Sequence, residues 1–148
     1  MTDPLRISFE VACAPEHAFA MWTTKIDAWW PADHTVSGRP ATVVLEPGPG
    51  GRIYECTPEG TEHDWGTVTA WDPPHRLGYR WHLTRTPGEA TRVEIRFVGV
   101  AADRTRVDIV HDGWDSLGVD ATDLRARNLH GWDTLLPYFT DAIDHGDR

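Results

Sequence analysis

The chain has 148 residues, 40% hydrophobic and 25% charged, which is enough apolar content for a packed core and too much for a disordered segment. Its net charge of −9 opposes nucleic-acid binding and docking on anionic lipid, because phosphates would be repelled. No apolar run approaches the ~20 residues of a bilayer span, no export leader is visible, and Cys13 and Cys56 lack metal or redox spacing; a cytoplasmic protein with reduced thiols is expected.

Leu5, Ile7, Phe9 and Val11 alternate with polar residues, which predicts a half-buried strand. Pro15 suits a first helical position, and Ala18, Phe19 and Trp22 give a short helix one apolar face. Thr24 and Asp27 then predict a weak capping box opening a second short helix. On it Ile26, Trp29 and Trp30 share a face, and Pro31 ends it. The two tryptophans should form an aromatic wedge just before the loop PADHTVSGRP.

Strand signals dominate after that loop. ATVVLEP and GRIYECT flank GPGG and read as a hairpin. HDWGTVTAWD reads as a strand of ambiguous parity, ended by Pro73-Pro74, because Trp65 and Trp71 oppose Val68 and Ala70. Leu77, Tyr79, Trp81 and Leu83 alternate in the next strand, Val93, Ile95 and Phe97 in the one after, and Val107, Ile109 and His111 in the last. Polar residues between them leave one sheet face wet. From Ala126 the period changes: Leu129, Trp132, Leu136, Phe139 and Ile143 make the stripe of a long helix, with a kink expected at Pro137. The order is strand, two short helices, about six strands, long helix, which predicts a two-layer α+β domain over residues 1–148.

WWP followed by His34, then EPGPGGRIYE, EHDWGTVTAWDPPHRLGYRW, HDGW and GWDTLL, in this order over nearly the whole chain, resemble the activator of heat-shock protein 90 ATPase homologue-like branch of the START-like (SRPBCC) superfamily. The resemblance implies a helix-grip fold: a curved antiparallel sheet of six or seven strands around the C-terminal helix, with a cavity between them. It implies binding or processing of small hydrophobic molecules. It carries no universal catalytic residue, and it does not carry over the chaperone role.

The residues expected to border that cavity are Trp29, Trp30, Tyr79, Trp81, Phe97, Ile109, His111, Trp114, Trp132 and Leu136. Any single one of them reads more readily as packed core, and eight tryptophans in one chain are able to plug the hollow themselves. His111 lies on the dry parity and needs a partner; a backbone bond near the strand end is the plainer reading, a ligand-orienting or acid/base role the sharper one. His34 reads as a solvated loop histidine. Glu55 shares parity with Ile53, yet exposure is expected, since unpaired charges are seldom buried. GPGG lacks a phosphate-loop pattern, and no HExxH, CxxC or GxSxG occurs, so neither metal nor cofactor is expected.

The first functional expectation is a carrier, sensor or sequestering protein for a small hydrophobic or aromatic molecule. The second is an enzyme in the style of the polyketide cyclases and dehydratases, with His111 as the weak candidate for proton transfer. The third is a protein-interaction module presenting an aromatic patch around Trp29, Trp30 and Trp114. A homodimer is left open.

Overall fold

A computed structural model describes residues 3–82, 90–115 and 121–145. Strand β1 spans Leu5–Val11 and helix α1 spans Pro15–Trp22. Two 3-10 turns follow, Ile26–Ala28 and Ala32–His34. Then come β2 (Thr42–Leu45), β3 (Arg52–Cys56), β4 (Glu62–Asp72), β5 (Arg76–Trp81), β6 (Thr91–Ala101) and β7 (Arg104–Asp112), and helix α2 (Ala121–His145) closes the chain. Leu83, expected at the end of β5, lies outside the described residues.

All neighbours in the seven-stranded sheet are antiparallel, in the order β1-β7-β6-β5-β4-β3-β2. The strands from β2 to β7 form a meander, and β1 joins its far side. The link from β1 to β2 must therefore cross from one edge of the sheet to the other, and α1 with its two turns makes that crossing. The sheet curves around α2, as a helix-grip fold requires.

The two faces differ as the alternation predicts. Val93, Ile95, Phe97, Val107, Ile109 and His111 are buried. The outer face carries ion pairs such as Arg92 with Asp112, Arg106 with Asp108, and Arg76 with Glu94. Exposed pairs of this kind contribute about 0–1 kcal/mol each, so they keep the face wet more than they stabilise it.

Two β-bulges resolve the ambiguous strand. Ile53 pairs with Gly66 and Tyr54 with Asp64, so Trp65 is the extra residue; on the other side Val68 pairs with Tyr79 and Ala70 with Gly78, so Thr69 is skipped. Each extra residue reverses the parity. Trp65 and Val68 can thus both be buried, at 0% and 2% exposure. Gly66 allows the first bulge. A Cβ there would lie 2.0 Å from the Arg80 carbonyl oxygen. Gly66→Ala is expected to destabilise the fold by about 2–3 kcal/mol through backbone displacement; an unchanged urea midpoint would contradict this close approach.

The second short helix is present as a 3-10 helix, Ile26–Ala28, in which the Trp29 and Trp30 amides both reach the Ile26 carbonyl and keep all three side chains inward. Two local expectations need correction. Asp27 does not form a box with Thr24; its Oδ1 accepts from the Val43 amide, tying the turn to β2. On α2, Ala126 and Leu129 are exposed, and the buried residues are Ala121, Leu124, Trp132, Leu135, Phe139 and Ile143. Steps of three lag the helical repeat by about 60° each, so Ala126 falls about 120° from Trp132. The helix continues through Pro137, which is exposed. No helix among the described residues is long and apolar enough to cross a membrane.

Candidate functional site

The interior of the grip is a continuous set of aromatic contacts. Trp81 touches Trp30, Trp65 and Tyr79, with ring centroids 5.9, 5.9 and 5.6 Å away. Trp30 touches Trp29 at 5.4 Å, Trp29 touches Trp22 at 5.2 Å, and Trp22 stacks on Trp132 at 6.0 Å. Trp22 is fully buried, meets Phe139 at 4.8 Å, and lies beside the Tyr79 hydroxyl. Burial pushes that phenol well above its ordinary pKa, and the neighbouring Trp22 indole only partly offsets this.

Trp22 therefore spans from the sheet to α2, and the deep hollow expected between them is occupied at this level. The helix periodicity had placed Trp22 on the apolar face of α1; nothing local showed that α1 would aim it into the centre. Water retains access at the edge of the aromatic set. Trp30, Trp81 and Leu136 are half-buried, whereas Trp29, Tyr79, Trp114 and Trp132 are buried. Trp81 carries inward parity and still meets solvent, so it marks the mouth of the grip.

Not every expected residue joins this mouth. Phe97 packs against Phe19 at 5.5 Å, and Phe19 against Trp71 at 5.1 Å. Six residues of β6 separate Phe97 from the strand position opposite Trp81, about 20 Å along the strand. Ile109 sits mid-sheet, paired with Ile95 and Ile7. Both are core. Of the three tryptophans expected in an exposed interaction patch, Trp29 and Trp114 are 6% and 1% exposed and only Trp30 meets solvent.

His111 is wholly buried and its bonds go to side chains, not to the backbone expected. The Trp132 indole donates to His111 Nδ1 at 3.0 Å. An indole can only donate, so Nδ1 is the acceptor and Nε2 carries the proton. Nε2–H then donates to Thr91 Oγ1 at 2.6 Å, and the Thr91 hydroxyl continues to the Trp81 carbonyl at 3.3 Å. Trp114 covers the imidazole at 4.3 Å and donates to the His111 carbonyl. Gly113 permits this return with a φ of 91°. Burial pulls the His111 pKa down to about 3, against a weak upward pull from Asp112. The imidazole is a neutral, satisfied link between α2 and the strand that carries Trp81.

Glu55 departs furthest from expectation. It is 0% exposed. Its Oε1 accepts from the Val36 amide at 2.5 Å and the Trp65 indole at 2.9 Å; its Oε2 accepts from the Ser37 amide at 3.1 Å and hydroxyl at 2.5 Å. Burial alone would raise its pKa, but these four donors outweigh it and hold the carboxyl below its ordinary value. The alternation with Ile53 was the signal; the usual exposure of charge masked it. His34, read as solvated, instead joins Asp33 through Nδ1 and Thr134 of α2 through Nε2, at 2.8 and 2.9 Å.

Outside the grip, an open groove of about 780 Å³ runs between the Ile26–Ala28 turn and the end of α2, with Lys25, Trp29, Tyr138, Asp141 and His145 on its walls. Its rim mixes charges of both signs and leaves it open to water. Among the described residues, no group of three or more His, Cys, Asp or Glu is placed to hold a metal ion.

Comparison with curated proteins returns no match. Among solved structures, the anthrahydroquino-γ-pyrone synthase Txn09 is 35% identical over 82% of this chain and 84% of its own, with a TM-score of 0.61. The self-sacrificing resistance protein CalC from Micromonospora echinospora is 29% identical over 99% and 97%, with a TM-score of 0.73. The Aha1 dimer from Colwellia psychrerythraea shares the fold at 15% identity, with a TM-score of 0.68 over 99% of this chain and 100% of that one. Residues 12–142 match the family described as activator of Hsp90 ATPase homolog 1-like protein. With nearly the whole chain inside that match and the helix-grip architecture in place, the chain belongs to the activator of Hsp90 ATPase homolog 1-like family.

Proposed function

We propose that the protein binds a planar aromatic small molecule at the mouth of the grip, against Trp30 and Trp81. The observation that carries this is the partial exposure of two inward-directed tryptophans in contact with each other, backed by the buried Trp65. A flat ligand on these rings would gain by dehydrating apolar surface and by offset stacking. Leu136 of α2 would supply aliphatic contact. The likeness to a synthase named for an anthrahydroquino-γ-pyrone favours a fused-ring molecule over a lipid chain.

The same likeness favours a second reading, an enzyme that closes a ring on such a molecule. His111 is poorly suited to move the proton. Both its nitrogens are engaged, and a group with a pKa of about 3 is a weak base at neutral pH. Catalysis would then rest on holding the substrate in a reactive geometry.

Titration with 1,8-dihydroxyanthraquinone should quench tryptophan fluorescence saturably. Trp81→Ala should weaken binding roughly tenfold, the loss of about one stacking contact. Quenching that never saturates, or equal affinity in the variant, would remove this reading.

A further inference from the structure

The segment from Pro31 to Arg39 is held to the rest of the fold in an unusual way. Among the described residues, the one backbone–backbone hydrogen bond of residues 32–40 that lies outside regular elements is internal, from the His34 amide to the Pro31 carbonyl. Side chains make the remaining ties. Thr35 Oγ1 donates to the Ala32 carbonyl and accepts from the Gly38 amide, and Ser37 Oγ accepts from the Arg39 amide. The segment is thus braced within itself. It touches the fold at two kinds of anchor. Three donors at Val36 and Ser37 converge on the buried Glu55 carboxylate. The other end is held at His34, whose ring bonds Thr134 of α2 and whose carbonyl accepts from the Trp30 indole; beyond the Glu55 anchor, Arg39 makes an exposed ion pair with Glu59.

Both anchors run through the aromatic wall. Trp30 donates its indole N–H to the His34 carbonyl at 3.0 Å, and Trp65 donates its own to Glu55. The rings are 5.2 Å apart. A molecule cannot seat between Trp30 and Trp81 without disturbing the end that His34 holds, while the Glu55 end stays fixed by charge-assisted bonds.

We propose that residues 31–38 form a strap over the aromatic site, pivoting on Glu55 as its positioning residue and released by breaking the His34–Thr134 bond. This deepens the binding reading above, and supplies a route by which a ligand enters a site whose walls are in contact. The strength of the two ends sets which one moves: a buried carboxylate with charge-assisted bonds to three strap donors outlasts the neutral bonds that His34 makes with the exposed Thr134 and the Trp30 indole.

The test is indole N–H exchange with water, followed by NMR on the full chain, with Trp30 and Trp65 assigned from their phenylalanine variants. In the ligand-free protein the Trp30 indole should exchange well ahead of the Trp65 indole. Thr134→Val should accelerate Trp30 exchange roughly tenfold and leave Trp65 unchanged. Glu55→Gln should accelerate both. If Thr134→Val leaves Trp30 exchange as it was, or if the two indoles exchange together with the β6 and β7 amides, the strap does not open as a unit and the proposal is overturned. Where 1,8-dihydroxyanthraquinone binds, Thr134→Val should raise its association and dissociation rates together by roughly fivefold, with little change in affinity; unchanged rates would equally overturn the strap. Absence of dye binding would sink the binding reading alone, and the indole exchange would still decide the strap.

Discussion

Replacing Trp22 with alanine is expected to cost about 4 kcal/mol of stability, at the upper end for a single core truncation. Melting should fall by roughly 10 °C in a chain of this length. The ring is fully buried and contacts Trp29, Trp132 and Phe139. Its loss would leave an apolar void between α1, the sheet and α2. Such voids take up small aromatics. Millimolar indole should therefore raise the melting temperature of Trp22→Ala by several degrees more than that of the wild type. A loss below about 1 kcal/mol, or no differential rescue, would mean that Trp22 is not what fills the centre of the grip.

The second large effect is on acid stability. His111 has a folded pKa of about 3, below its unfolded value near 6.5. Between these values the unfolded chain gains a proton that the folded protein does not take up, so stability falls as pH falls. The slope is about 1.4 kcal/mol per pH unit from this group alone, or about 2 kcal/mol between pH 7 and pH 5. His111→Asn retains an acceptor for Trp132 but cannot titrate. It should be less stable than wild type at pH 7, because Thr91 loses its donor, and its stability should decline less steeply between pH 7 and pH 5. Urea denaturation at three pH values measures both slopes. Parallel slopes would show that the folded protein protonates His111 as readily as the unfolded chain does.

Both predictions turn on residues that the sequence displays openly and does not place. Alternation in β5, β6 and β7 marks Tyr79, Trp81, Val93 and His111 as inward, and the structure agrees. The same rule marks Glu55, whose parity with Ile53 was outweighed by its charge. Parity is local, but the four donors that make burial tolerable come from Val36, Ser37 and Trp65, up to 19 residues away. In β4 the period-two signal is broken by two bulges, and Trp65 stayed unassigned until its neighbours on β3 and β5 revealed the register.

By itself the sequence determined the order of elements, the hairpins and the wet and dry sheet faces, because each follows from periodicity and turn chemistry within a short window; the helix-grip architecture was implied by the family resemblance. Only the tertiary structure decided what occupies the grip. Whether aromatic rings border a space or close it depends on how α1 and α2 aim Trp22 and Trp132 at one another, and that aim is set by packing between segments about a hundred residues apart. It leaves solvent at Trp30 and Trp81 and none at Trp22.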